Sequence, residues 1–161
     1  MQAREVLDIY CFLDGSGVHV WIDGGWCIDA LAGQISRDHS DLDIAVEHGS
    51  ESRLLDLLAG QGFQVATRPD TTDANYVLRS PNGWDLDVHV FEYDSEGHNV
   101  YGIEYPMGSL AGTGQLGGKE VRCIAPDWIF RFKTSYEPKA KDIADVRLLA
   151  ETFGFEVPEG Y

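Results

Sequence analysis

Apolar and polar positions follow two rhythms along this chain, and their order predicts helices packed on a sheet. Val6, Leu7, Ile9, Tyr10 and Leu13 recur at helical spacing over Arg4 to Leu13, and Asp14-Gly15-Ser16-Gly17 stops that element. Val18 to Ile22 reads as a short strand running into a Gly24-Gly25 turn, after which Trp26 to Leu31 has the spacing of a short helix ended by Gly33. A second strand is expected over Leu42 to Val46. A helix over Glu51 to Ala59 follows, with Ser50 as its N-cap and Gly60 or Gly62 at its end. Phe63 to Arg68, Asn75 to Arg79 and Trp84 to Phe91 read as three further strands, the last two joined through Pro81-Asn82-Gly83.

From Gly97 to Gly118 glycines are dense and periodicity is weak, which predicts loops and a hairpin closing at Gly117-Gly118 before a strand over Glu120 to Ile124. Pro126 suits the first turn of a helix with Trp128, Ile129 and Phe132 on its apolar face. Ala140 to Thr152 forms a last helix with Ile143, Val146, Leu149 and Ala150 inward. The expected class is α/β (α+β), a small mixed β-sheet flanked by helices. Residues 1–161 form one domain in this reading, with 126–152 as closing C-terminal helices.

A chain of 161 residues has room for one core of ordinary size. Its 43% hydrophobic content is enough to fill that core and excludes wholesale disorder. With 27 acidic against 12 basic side chains the formal charge is -15, so the surface repels phosphate backbones and anionic lipid. That argues against nucleic-acid and membrane partners and favours a cationic small molecule. No uncharged stretch reaches the roughly 18 apolar residues of a membrane helix. Met1 to Leu13 carries Glu5 and Asp8 and does not read as a signal peptide. Cys11, Cys27 and Cys123 form neither a closed disulfide framework nor a C-x-x-C zinc spacing. A cytoplasmic monomer or small homo-oligomer is expected.

The sharpest chemical signal is Asp41-Leu42-Asp43-Ile44. Strand residues alternate faces, so Asp41 and Asp43 share one side while Leu42, Ile44 and Val46 point into the core. Paired carboxylates on a rigid strand repel each other unless a cation sits between them, and they suit a hard ion such as Mg²⁺. Trp84 to Val90 repeats the pattern, with Asp85, Asp87 and His89 on one side. Asp23-Gly24-Gly25-Trp26 places consecutive glycines between strand and helix, where backbone N–H groups can approach a phosphate. Gly112 to Gly117 matches G-x-G-x-x-G, but the strand that follows it removes the dinucleotide-binding context. His19, His48 and His98 read as surface residues, and Cys27 as core.

Trp21-Ile22-Asp23-Gly24-Gly25-Trp26, then Arg37-Asp38-His39-Ser40-Asp41-Leu42-Asp43, then Leu86-Asp87-Val88-His89 resembles the lincosamide nucleotidyltransferases and the short aminoglycoside nucleotidyltransferases. The likeness runs from about Val20 to Leu149, and its Gly-Gly, D-x-D and later-Asp pattern is that of the polymerase-β-like nucleotidyltransferase superfamily. The resemblance implies a nucleotidyltransferase fold and transfer of AMP from ATP, or of another nucleoside monophosphate, to a hydroxyl of a small antibiotic acceptor. It also implies that Asp41 and Asp43 hold Mg²⁺ and that Asp87 shares a metal or takes the hydroxyl proton. By the same likeness Gly24 and Gly25 contact the triphosphate, Lys133 or Lys141 reaches its phosphates, and Arg37 and His39 touch phosphate or order the metal strand. Acceptor-binding residues are expected between Gly97 and Gly118. Two other readings are a catalytically silent relative acting as a binding or regulatory module of toxin–antitoxin type, and a metal hydrolase using Asp85, Asp87 and His89.

Overall fold

The computed structural model describes residues 1–161. Helix α1 (Ala3–Gly15) leads into strand β1 (Val20–Asp23), which runs without a loop into α2 (Gly24–Ala32). Strand β2 (Asp41–Glu47) and helix α3 (His48–Gly60) follow, then β3 (Gln64–Ala66), β4 (Asn75–Arg79), β5 (Asp85–Tyr93) and β6 (Asn99–Gly102). A single 3₁₀ turn over Ser109–Ala111 precedes β7 (Gly112–Leu116) and β8 (Lys119–Cys123), and α4 (Pro126–Lys133) and α5 (Ala140–Phe153) end the fold.

One mixed sheet takes all the strands in the order β3-β4-β5-β2-β1-β8-β7, with β6 added to the far end of β5. The expected hairpins form: β4 and β5 pair antiparallel around Pro81-Asn82-Gly83, and β7 and β8 around Gly117-Gly118. Strands β2 and β5 are parallel neighbours at the centre. Their inward residues Leu42, Ile44, Val46, Leu86, Val88 and Val90 are all but inaccessible and join Ile22, Trp26, Leu54 and Ile129 in one core. Burying each such side chain stabilises the fold by about 1.5–3 kcal/mol, which fixes the strand faces.

Several expectations are corrected. Helix α3 begins at His48 with Glu47 as N-cap, not at Ser50, because β2 turns directly into it. The strand predicted over Phe63 to Arg68 is only Gln64–Ala66: it is an edge strand paired to β4 alone, and Phe63 is buried ahead of it. Gly24 and Gly25 are the first residues of α2, capped by Asp23, and not a separate turn. The 97–118 segment holds β6 and β7 as well as loops. In α5, Val146 and Leu149 point inward as expected, but Ile143 and Ala150 are half-buried and their place is taken by Asp142 and Asp145.

Candidate active site

Strand register builds the site. Asp43 lies opposite Asp23 on antiparallel β1 and opposite Asp87 on parallel β5, so three carboxylates form a row across the sheet. Asp41 sits one pleat away on the same face of β2, and His89 one pleat beyond Asp87 on β5. Single carboxylate oxygens of Asp43 and Asp87 and a ring nitrogen of His89 fall within 4.8 Å of one another.

The electrostatics of this row are uneven. Burial pushes the Asp43 carboxyl up to about 7, and the charges of Asp23, Asp41 and Asp87 add to the rise against the pull of His89. Asp87 is also raised, by burial first and then by Asp41 and Asp70, against His89 and Arg68. Asp23 goes the other way. Its burial is outweighed by His89, by the Tyr105 hydroxyl donating to Oδ2 at 2.7 Å and by the Gly24 N–H donating to Oδ1 at 2.7 Å. His89 is raised, its own burial outweighed by Asp23, Asp43 and Asp87, and its Nδ1 lies 3.1 Å from the Tyr105 hydroxyl. Two carboxylate oxygens this close, with Asp23 and Asp41 adding negative charge beside them, suit a hard divalent cation.

Asp85 shares the face but not the role. Arg79 and Arg68 both hold its carboxylate and keep it ionised below the usual range. It is therefore unavailable to an Asp85–Asp87–His89 metal set, and the cluster that forms replaces it with Asp43. Arg68 extends to Asp87 as well, at 3.7 Å.

A cleft of about 330 Å³ opens beside Asp41 and Asp43, and Gly24, Gly25, Arg37, Lys133, Lys139 and Lys141 lie in its walls. The glycines are there for room. Gly24 has φ +58°, and a Cβ on it would overlap the Asp43 carboxylate. A Cβ on Gly25 would stand 2.5 Å from Arg37 Nη2 and 2.6 Å from His39 Nδ1. Arg37 reaches Asp145 of α5 through Nε at 3.0 Å and Nη2 at 3.1 Å. Lys133 lies 3.1 Å from both Asp142 and Asp145.

His39 does not line the cleft. It is buried behind Gly25, its ring tilted 34° against that of Trp26 at a centroid distance of 4.4 Å, with Nε2 2.7 Å from Asp29 Oδ2. Asp29 also accepts the Ser36 N–H and hydroxyl, so one buried carboxylate pins both ends of the segment that carries Arg37. Of the two roles expected for His39, this placement suits ordering that segment and not touching phosphate.

Of the residues singled out in the sequence, Gly24, Gly25, Arg37, Asp41, Asp43, Lys133 and Lys141 share one cleft, and Asp87 stands on the adjacent strand. Missed were Asp23, Asp29, Tyr105, Asp142 and Asp145. Asp142 and Asp145 left a signal, since they fall at helical spacing on the stripe of Val146 and Leu149. Tyr105 left none. A second cleft, of about 600 Å³, is lined by residues 97–107, including Tyr101, Glu104, Tyr105 and Met107.

Comparison with known proteins gives the family and the fold. A family model described as aminoglycoside-2''-adenylyltransferase matches residues 5–149. A 2''-aminoglycoside nucleotidyltransferase of Klebsiella pneumoniae is 26% identical over 98% of this chain and 91% of its own length. The fold resembles that of the lincosamide antibiotic adenylyltransferase LnuA with lincomycin bound, at TM-score 0.82 and 19% identity over 94% of this chain and 98% of that one. It also resembles ANT(2'')-Ia in complex with adenylyl-2''-tobramycin, at TM-score 0.77 and 24% identity over 95% and 90%. With the matched region spanning every element that carries the carboxylate row and the cationic cleft, the chain belongs to the aminoglycoside-2''-adenylyltransferase family.

Proposed function

We propose that this chain, acting as one unit over residues 1–161, transfers AMP from ATP to a hydroxyl of a small cationic acceptor of the aminoglycoside or lincosamide class. The observation that carries the reading is the row of Asp43 and Asp87 beside a cleft walled by Arg37, Lys133 and Lys141. Carboxylates that would hold a metal and cations that bind phosphate stand side by side where a nucleotide polyphosphate is cradled. The aminoglycoside and lincosamide transferases it resembles support the choice of acceptor.

Asp41, Asp43 and Asp87 would hold Mg²⁺, which supplies neutralisation of the charge on the attacking and leaving oxygens. Arg37, Lys133 and Lys141 bind the phosphates, with Gly24 and Gly25 keeping that wall low enough for them to approach. Asp87 accepts the proton of the acceptor hydroxyl: its burial raises its basicity and its strand faces the phosphate cleft through Asp43. The acceptor enters the cleft of residues 97–107, whose Tyr105 joins it to the carboxylate row by bonding Asp23. Glu104 there and the net charge of -15 attract an amine-bearing molecule. Retention of all three carboxylates on one face disfavours a catalytically silent module.

Calorimetric titration with ATP in Mg²⁺ tests this reading. The wild-type protein should bind, and Asp87→Asn should transfer nothing; ATP binding retained in that variant assigns Asp87 to the proton, and binding lost assigns it to the metal alone. Absence of Mg-dependent ATP binding in the wild type would contradict it.

A further inference from the structure

Asp145 has an unusual set of partners for a buried carboxylate. Its side chain is 1% exposed, and it meets two cations from elsewhere in the chain, Arg37 through two hydrogen bonds and Lys133 through an ion pair. Oδ1 accepts Arg37 Nε at 3.0 Å, Oδ2 accepts Arg37 Nη2 at 3.1 Å, and Lys133 Nζ lies 3.1 Å from Oδ2. Asp142, one turn earlier, is committed otherwise. It accepts the Lys139 N–H that starts α5 and the Tyr136 hydroxyl, besides Lys133. Asp142 thus ties the helix start to α4, whereas Asp145 serves the cations alone.

Counting donors shows what this leaves open. A guanidinium has five N–H groups and an ammonium three. Arg37 uses Nε and one Nη2 hydrogen on Asp145 and one Nη1 hydrogen on the Asp38 carbonyl, so two remain. Lys133 donates one to Asp142 and faces Asp145 as an ion pair at 3.1 Å, so at least one remains. Both side chains line the cleft beside Asp41 and Asp43, and Asp145 lies behind them. Two like charges held this close would separate without a shared anion.

We propose that Asp145 is a positioning residue for the polyphosphate, clamping Arg37 and Lys133 so that their free N–H groups face the two outer phosphates of the bound nucleotide. This rests on the nucleotidyl-transfer reading and adds to it a group that never touches substrate. A clamp formed before binding removes the rotamer freedom the two long side chains would otherwise lose on meeting the ligand. Its effect should therefore depend on how many phosphates the ligand carries.

Asp145→Asn keeps the volume and one acceptor oxygen but removes the charge. Binding of ATP and of AMP to this variant and to the wild type is measured by calorimetry in Mg²⁺, together with steady-state kinetics. Affinity for ATP should fall about tenfold or more while that for AMP changes by less than about threefold, and KM for ATP should rise by a larger factor than kcat falls. An equal fall for both nucleotides, or no fall, would reduce Asp145 to a support of the fold and overturn the clamp while leaving the transfer reading intact. A wild-type protein that binds ATP no better than AMP would overturn both. Where the variant does not fold, inorganic tripolyphosphate is titrated into the wild-type protein and the Arg37 Nε–H resonance followed. A shifted but retained signal supports the clamp, and an unmoved one overturns it.

Discussion

Asp43 and Asp87 are direct register partners across the parallel strands β2 and β5, on the sheet face that opens toward the cationic cleft. A pair of carboxylates in adjacent strands, with Asp23 on the further side of Asp43, destabilises itself unless a cation intervenes. The burial that raises Asp43 to about 7 is the same burial that would strengthen its hold on a metal.

Replacing Asp41 or Asp43 by Asn removes a charge and keeps the volume. The fold should persist by circular dichroism and turnover should fall by about a hundredfold or more, a barrier increase of roughly 2.7 kcal/mol. Retention of more than about a tenth of wild-type kcat would remove the residue from the metal set.

Gly24→Ala tests the space between α2 and β2. At φ +58° the added Cβ is strained and meets the Asp43 carboxylate, so kcat should drop with Asp43→Asn-like severity. Gly25→Val acts differently, since it displaces Arg37 and His39; the ATP KM should rise while the acceptor KM stays within about twofold. Equal effects on both substrates would make Gly25 a structural glycine only.

Asp142 carries a pH dependence. Burial raises its pKa, but the Lys139 N–H, Lys133 and Tyr136 outweigh that and leave it lowered. A carboxyl depressed on folding stabilises the native state above its unfolded value near 3.8, and that contribution is lost as pH falls through the folded value. Asp142→Asn should thus lower Tm at pH 7, with the gap to wild type closing below about pH 4. Thermal melts from pH 3 to 7 decide the matter, and a gap independent of pH would contradict the assignment.

Much of the fold was legible because periodicity and burial agree. The D-x-D strand alternates cleanly, and Leu42 and Ile44 are as buried as their spacing implies. What was hidden depends on partners distant in sequence. Asp142 and Asp145 break the apolar stripe of α5, and their burial is tolerable because Lys133, Tyr136 and the Lys139 N–H meet Asp142 while Lys133 and Arg37, the latter 108 residues away, meet Asp145. Asp29 likewise reads as a polar flaw in a short apolar helix until Ser36 and His39 fold back on it. Strand β6 was missed because it pairs only with the end of β5, where the register shifts at Glu92 and Tyr93, and its residues are half-buried or exposed.

Charge steering gives a kinetic prediction. Attraction between exposed charges is screened over about 8 Å at physiological ionic strength, so kcat/KM for an amine-bearing acceptor should fall as salt rises and that for a neutral acceptor should not. Initial rates at two salt concentrations compare them, and identical salt responses would count against electrostatic recognition.

Nucleotidyl transfer leaves its mark on the acceptor, so the decisive measurement follows the acceptor itself. The protein is incubated with ATP, Mg²⁺ and a panel of aminoglycosides and lincosamides, with mass spectrometry of the acceptors and assay of pyrophosphate. At least one acceptor should gain a single nucleoside monophosphate, with one pyrophosphate released per product, and Asp87→Asn should form none. Release of inorganic phosphate without an acceptor, or no modified acceptor and no pyrophosphate across the panel, would contradict it.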